Sequence, residues 1–316
     1  MGRGKTASQL LYEEAKHFFV HYSNDGTRNT YQKNYRRFIA YCRTTHKCTT
    51  KEDCASHIAD YSAYLQSSGY SPSTIHTYLA SVARYHGINL CKIEKPKRKT
   101  SAYTRGRSNN GKAQRSDNDL SNPIYAHTVD FQMRVGIRRA ELMRLTGNDL
   151  CRDESGKLCV RVRRGKGGKM QLQRILPADI PFVKGYFTEK EPTERIFDRA
   201  EFRNKIPYHY LRAKQAQRAY AYYKKIVQTS AGRKQLEREI RRRWNTYNLN
   251  PRTGKPKRLN PKLLCGTYFL RGENKQLAIR NDLPTRYDRL ALTAVSIFHL
   301  SHWRNDVTVE SYLLTI

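Results

Sequence analysis

At 316 residues the chain has room for about two domains with a real core, and 60 Lys and Arg against 27 Asp and Glu leave a formal charge of +33. An enzyme acting on a small neutral metabolite has no use for such self-repulsion, whereas a polyphosphate partner, DNA or RNA, offsets it. No apolar run approaches the roughly 18 residues of a membrane span and no secretory signal opens the chain, so a cytoplasmic, nucleoid-associated protein is expected.

Residues 1–8, "MGRGKTAS", echo a phosphate loop but lack its first glycine and preceding strand, and read as a basic arm. Residues 9–90 carry the 3.6-residue period of four amphipathic helices. Leu10, Leu11, Ala15, Phe18 and Phe19 make one apolar face; Tyr31, Tyr35, Phe38, Ile39 and Tyr41 make another. "KEDCASHIADYSAYLQSSG" predicts a third helix stopped by Gly69. "SPSTIHTYLASVARYHG" predicts a fourth, with Ser71 or Ser73 as its cap, Pro72 in its first turn and Gly87 at its end.

Cys42, Cys48, Cys54, Cys91, Cys151, Cys159 and Cys265 are odd in number and irregularly spaced, which points to reduced, packed thiols. His46, Cys48, Cys54 and His57 match no common zinc-finger spacing. Neither a metal site nor a cofactor is expected.

Residues 91–117 lose the periodicity and collect Gly, Ser, Asn, Pro and cations, as a linker does. Lys95, Lys97, Arg98, Lys99, Arg105 and Arg107 are its candidate phosphate contacts, in a strap along double-stranded DNA. Residues 118–316 form a second, mainly helical domain. In it "KLCVRVRRGKGGKMQLQRILP" predicts a β-hairpin, with Leu158, Val160 and Val162 alternating before a "GKGG" turn. A Tyr-rich helix over 208–227 and a charged helix, "RKQLEREIRRRW", come next. A Pro- and Asn-rich loop over 245–262 and two last helices over 286–299 and 306–315 complete the domain.

The polar residues of this second part have one coherent use. Arg138 and Glu141 lie one turn apart at a helix start, and His209 and Arg212 share a helix face. Lys166 sits at the hairpin tip; His302 and Tyr312 come near the end. A tyrosine that breaks a DNA strand needs a clamp for the non-bridging phosphate oxygens, and permanently charged guanidinium groups supply it bidentately. A lysine can protonate the departing 5′ oxygen, and a histidine can move the tyrosine proton. Such chemistry requires no metal.

"GIRRAEL", "RGKGGK", "HYLR" and "LSHW" followed by "SYL" resemble, in that order, the boxes of the tyrosine recombinases, the phage-integrase family. The resemblance covers nearly the whole chain. It implies a mainly α fold: a four-helix SAM-like core-binding domain followed by an α+β catalytic domain with a small antiparallel hairpin or sheet. It further implies Arg138 and Arg212 as the clamp, Lys166 as general acid, His209 as general acid/base, His302 as phosphate donor and Tyr312 as nucleophile. Glu141 is then a structural partner of Arg138.

Three departures stand out. The family's usual Gly-His before the nucleophile is Ser301-His302, followed by Trp303. Lys169 competes with Lys166. The stretch between Arg212 and His302 is far longer than is usual, so 228–285 reads as an insertion, and Tyr268 with Arg271 forms a rival second box that lacks the histidine. The resemblance implies integration or excision of a mobile element by a homo-tetramer on two duplexes, with accessory DNA-bending or directionality factors. A type IB topoisomerase and a non-catalytic DNA-binding regulator on the same scaffold are the alternatives. Leu313, Leu314, Thr315 and Ile316 are expected to fold back and anchor Tyr312 in its own subunit, giving cleavage in cis.

Overall fold

The computed structural model describes residues 5–22, 25–97, 120–165, 170–203, 206–250, 252–301 and 303–315. The chain divides into two compact units, Met1–Tyr103 and Thr104–Ile316. The architecture is mainly helical with small antiparallel sheets, and no helix among the described residues is long and apolar enough to cross a membrane.

In the first unit α1 (Ala7–Phe18) begins at a capping box in which Thr6 and Gln9 satisfy each other's backbone. Then come α2 (Asp25–His46), α3 (Lys51–Ser56), α4 (Ile58–Ser67) and α5 (Pro72–Tyr85). The single third helix read from the sequence is two helices, broken at His57, which adopts a non-helical conformation. Ser71 is the residue that caps α5, its hydroxyl accepting from the Thr74 N–H at 3.2 Å. Gly69 and Gly87 end their helices in the left-handed region.

Leu11, Ala15 and Phe19 turn inward on Tyr35, Phe38, Ile39, Leu65, Leu79 and Val82. Leu10 and Phe18 belong to the expected face of α1 but remain exposed. The helix buries a narrower stripe than its apolar composition allows. Phe18 instead meets Phe19 and Tyr85 edge-on, with centroids 5.3 Å away in each case.

In the second unit α6 (Ala126–Val135) is stopped by Gly136 at φ 68° and followed by the short α7 (Arg139–Leu142). Three strands form an antiparallel sheet in the order β1 (Leu150–Arg152), β2 (Leu158–Val162), β3 (Gln171–Arg174), with Val160 paired to Leu150 and Gln173. The sequence pattern showed β2 and β3; β1, only three residues long, carries no period to read. Val160 and Val162 are buried as expected, but so is Cys159 on the opposite face, because the sheet is covered on both sides.

After α8 (Ile180–Gly185), the long α9 (Tyr208–Ile226) and α10 (Ser230–Tyr247) carry the Tyr-rich and charged stretches. Residues 267–288 add a β4–β5 pair (Thr267–Phe269, Arg286–Asp288) around α11 (Gly272–Arg280). Finally α12 (Arg289–Ala294) and α13 (Asn305–Thr308) each run on into a π-helical turn, Val295–His299 and Val309–Leu313.

The 228–285 stretch, expected as an insertion, is built into the core. Leu236, Ile240, Trp244, Leu264, Leu270 and Ala278 share one apolar cluster with Leu290, Phe298, Val309 and Tyr312. A buried charge network fastens α10 to the sheet. Arg243 donates to Asp153 and Glu154, each at 2.7 Å, and Arg174 donates to Asp153 and Glu239, each at 2.6 Å. Such pairing offsets the cost of burying these charges.

Candidate active site

The turn that ends α6 sets the first component. Gly136 is left-handed, and a Cβ on it would lie 3.0 Å from the side chain of Gln215 on α9, so glycine allows both the turn and the close approach. Two buried glutamines hold this turn by its carbonyls. Gln132 donates to Ile137 O and, at 3.3 Å, to Tyr208 O; Gln173 donates to Val135 O at 2.9 Å and to His299 O.

Beyond the turn, Arg138 begins α7 and is bound twice by Glu141. Its backbone N–H donates to Oε2 at 2.9 Å, and Nη1 donates to Oε1 at 2.6 Å. Glu141 is buried, yet its carboxylate also stands 3.8 Å from Arg212 Nη1. One carboxylate therefore hydrogen-bonds the Arg138 guanidinium and lies at ion-pair distance from that of Arg212, on a separate element.

Arg212, only 2% exposed, is the largest fully buried side chain among the described residues. Its Nη2 donates to Leu300 O at 2.7 Å, whereas Nε and Nη1 have no hydrogen-bond acceptor among the described residues. Burial, reinforced by the charge of Arg138, lowers its pKa, while Tyr312 and Glu141 pull the other way. A guanidinium remains charged at such a site because its ordinary pKa is so high.

Tyr312 lies on the π-helical turn after α13 and is buried. The Arg212 guanidinium carbon is 5.8 Å from the centroid of its ring. The ring of His209, one turn before Arg212 on α9, stacks on it at 5.0 Å and 15°. Gln217 fixes the backbone behind the tyrosine, donating to Tyr312 O at 3.3 Å and Thr315 O at 2.7 Å.

Four of the six sequence candidates, Arg138, His209, Arg212 and Tyr312, thus meet through direct contacts or through Glu141. Lys166 and His302 lie outside the described residues, as does Lys169. Arg271 is exposed and lines a pocket of its own with Tyr268, Asn274, Arg289 and Glu310. Of the expected phosphate contacts, Arg98, Lys99, Arg105 and Arg107 lie outside the described residues. Lys97 is exposed, and Lys95 is half-buried, with its ammonium donating to Leu90 O and, at 2.8 Å, to Ile93 O. Beside Glu141 a pocket of about 300 Å³ is lined by Arg144, Arg161, Arg164 and Arg163, the last paired with Asp149 at 2.8 Å, so cationic groups continue outward from Arg138.

The segment before the tyrosine contains the Ser301 and Trp303 departure. Ser301 has φ 51° and Trp303 φ 60°, both in the left-handed region that favours glycine. Trp303 packs edge-on against Trp244 of α10 at 5.2 Å, and Trp244 Nε1 donates to Lys257 O at 2.7 Å. His299, buried behind this segment, is bracketed by Gln215 Nε2 at 2.9 Å on Nδ1 and the Tyr223 hydroxyl at 3.2 Å on Nε2. Burial, with Arg174 and Arg243 nearby, pushes its pKa down to about 3. The glutamines, Trp244 and His299 escaped the sequence reading because buried amides and neutral histidines carry no periodic or charge signature.

No family model matches the chain, and no curated protein matches it. Among solved structures it is similar to XerA recombinase, at 17% identity and a TM-score of 0.25 over 66% of this chain and 84% of that one. It is also similar to the integrase from mycobacterium phage Brujita, at 15% identity and a TM-score of 0.25 over 70% of this chain and 81% of that one.

Proposed function

We propose that the chain is a tyrosine-type, site-specific DNA recombinase that cuts and rejoins strands through a 3′-phosphotyrosyl intermediate. The observation that carries this reading is the run of contacts from Arg138 through Glu141 to Arg212, which lies beside Tyr312. A buried guanidinium beside a tyrosine, with Nε and Nη1 lacking a close acceptor among the described residues, suits the non-bridging oxygens of a phosphate. Tyr312 Oη attacks phosphorus as its proton leaves, and the bond to the 5′ oxygen breaks. Lys166 gives that oxygen a proton. His209, against the tyrosine ring, serves as acid/base, and His302 donates to the phosphate. Attack by the freed 5′ hydroxyl of another strand reverses the step and releases the enzyme.

In this reading the first unit is a SAM-like core-binding domain, and the basic 91–117 segment runs along phosphates of duplex DNA. The active species is a homo-tetramer on two duplexes, integrating or excising a mobile element in the cytoplasm. The +33 charge fits a polyanionic partner.

The test is capture of a covalent adduct from a pool of nicked duplexes with random sequence flanking the nick. Adducts should carry a free 5′ hydroxyl, enrich a sequence motif, and vanish in Tyr312→Phe protein that still binds DNA. Adducts without sequence preference would point to a topoisomerase, and DNA binding with no adduct would point to a regulator.

A further inference from the structure

We propose that the first unit holds a thiophilic d10 metal ion, of the zinc or cuprous type, between Cys42, Cys48 and Cys54. The three Sγ atoms all lie within 4.8 Å of one another, and all three cysteines are buried, with Cys48 nearest to solvent. With metal–sulfur bonds of about 2.3 Å, three thiolates around one ion stand ~4 Å apart, so the cluster needs little contraction to close. Sulfur donors without carboxylates select soft ions: cuprous copper as a trigonal centre, or zinc with a solvent molecule in the fourth position. Binding displaces the three thiol protons to solvent as three metal–sulfur bonds form.

Each donor comes from a different piece of chain. Cys42 lies on α2, Cys54 on α3, and Cys48 in the turn between them. Lys47 takes φ 60°, a strained conformation for a side chain that is not glycine, and so folds the turn back until Cys48 N–H donates to Cys42 O at 3.4 Å. The capping box of Thr50 and Asp53 fixes the start of α3 and with it the approach of Cys54. Packing alone would be served by any small apolar residue at these positions. A disulfide would use two of the three sulfurs and leave the third beside it, and all three are free.

The sequence reading set aside His46, Cys48, Cys54 and His57 as a finger, and the structure separates that group. His46 and His57 stack at 3.7 Å, and His57 Nδ1 is 2.8 Å from Asp60, in a half-exposed nitrogen and oxygen cluster distinct from the thiols. The missing partner was Cys42, which sits inside a helix at a spacing no finger uses.

The test is metal analysis of the full chain purified under reducing conditions, followed by anaerobic titration of metal-stripped protein with cobalt(II), zinc and copper(I). One equivalent should bind per chain, and cobalt should give a sulfur-to-metal charge-transfer band. Zinc and copper(I) competing against the cobalt band decide between the two ions. Cys48→Ser should weaken binding at least about tenfold and diminish the band, whereas Cys91→Ser should change neither. Circular dichroism of Cys48→Ser separates a lost ligand from a lost fold. Folded protein that takes up no thiophilic metal overturns the proposal. So does uptake unaffected by Cys48→Ser but abolished by His57→Ala.

Discussion

Arg212 and Tyr312, on α9 and on the turn after α13, meet with the guanidinium carbon 5.8 Å from the ring centroid and the Glu141 carboxylate 3.8 Å from Arg212 Nη1. The arginine thus has a double duty. It neutralises a buried carboxylate and, in the proposed reaction, the charge that develops on phosphorus. Arg212→Ala should lower strand cleavage on the order of 10³-fold. It should also destabilise the protein by about 1–3 kcal/mol, because the buried Leu300 carbonyl loses its donor and Glu141 loses one of two cationic neighbours. Arg212→Lys should recover much of the stability and little of the cleavage, since an ammonium lacks the bidentate fork. Adduct yield and urea unfolding measure the two effects separately. If Arg271→Ala is instead the crippling change, the second box lies at Tyr268 and Arg271.

Ser301 stands in a conformation that costs a side chain energy and costs glycine none, at φ 51°. It is only half-buried, so little packing is lost by removing its side chain. Ser301→Gly should therefore stabilise the protein by about 0.5–1 kcal/mol, after the extra entropy of glycine in the unfolded chain is deducted. Ser301→Val should destabilise it by about 1 kcal/mol or more, since a β-branched residue resists the left-handed region. Denaturant midpoints decide the order, and equal midpoints for Gly and Val would exclude backbone strain at this position.

His299 should make the second unit sensitive to acid. Its pKa is about 3 in the folded protein, chiefly through burial and then through Arg174 and Arg243, against an ordinary value near 6.5. Between those values the unfolded chain binds the extra proton, so stability falls as pH drops through that window and is unaffected by this group above it. From pH 7 to pH 5 the loss from this one residue is about 2 kcal/mol. His86 in the first unit, lowered to about 4 chiefly by burial, acts in the same direction. The measurement is therefore the difference between the parent and His299→Gln in urea unfolding at the two pH values. A His299→Gln variant as acid-sensitive as the parent would show that the ring is not held neutral.

The helices of the first unit were legible because Leu11, Ala15, Phe19, Tyr35, Phe38 and Ile39 repeat at helical spacing and Ser71, Gly69 and Gly87 mark the ends. In the second unit, charged and aromatic residues such as Arg138, Arg212 and Tyr312 were legible as types suited to phosphate chemistry. Their meeting was expected only from the resemblance and from no local pattern, since α9 and the last turn come together through tertiary packing. The three-residue strands β1, β4 and β5 are too short for any period. Residues 228–285 read as an insertion because the stretch from Arg212 to His302 is longer than the resemblance implies. Arg243 and Trp244 make the stretch integral, through a buried ion network and an aromatic contact that no local pattern announces.

The backbone around Tyr312 bears on how subunits would share the proposed reaction. Gln217 on α9 holds the carbonyls of Tyr312 and Thr315, and Leu313, Leu314 and Thr315 are buried within the same chain as the clamp. Moving this turn to a neighbour would break both hydrogen bonds and expose the two leucines, each of which gains about 1.5–3 kcal/mol from burial. Tyr312 should therefore attack the phosphate held by its own Arg138 and Arg212. Tyr312→Phe protein keeps an intact clamp and lacks the nucleophile, and Arg138→Ala protein has the reverse defect. Mixed on one DNA substrate, the pair should yield no more adduct than either alone. If the tyrosine crossed between subunits, the Arg138→Ala chain would supply it to the intact clamp of its neighbour, and adduct would return in the mixture alone.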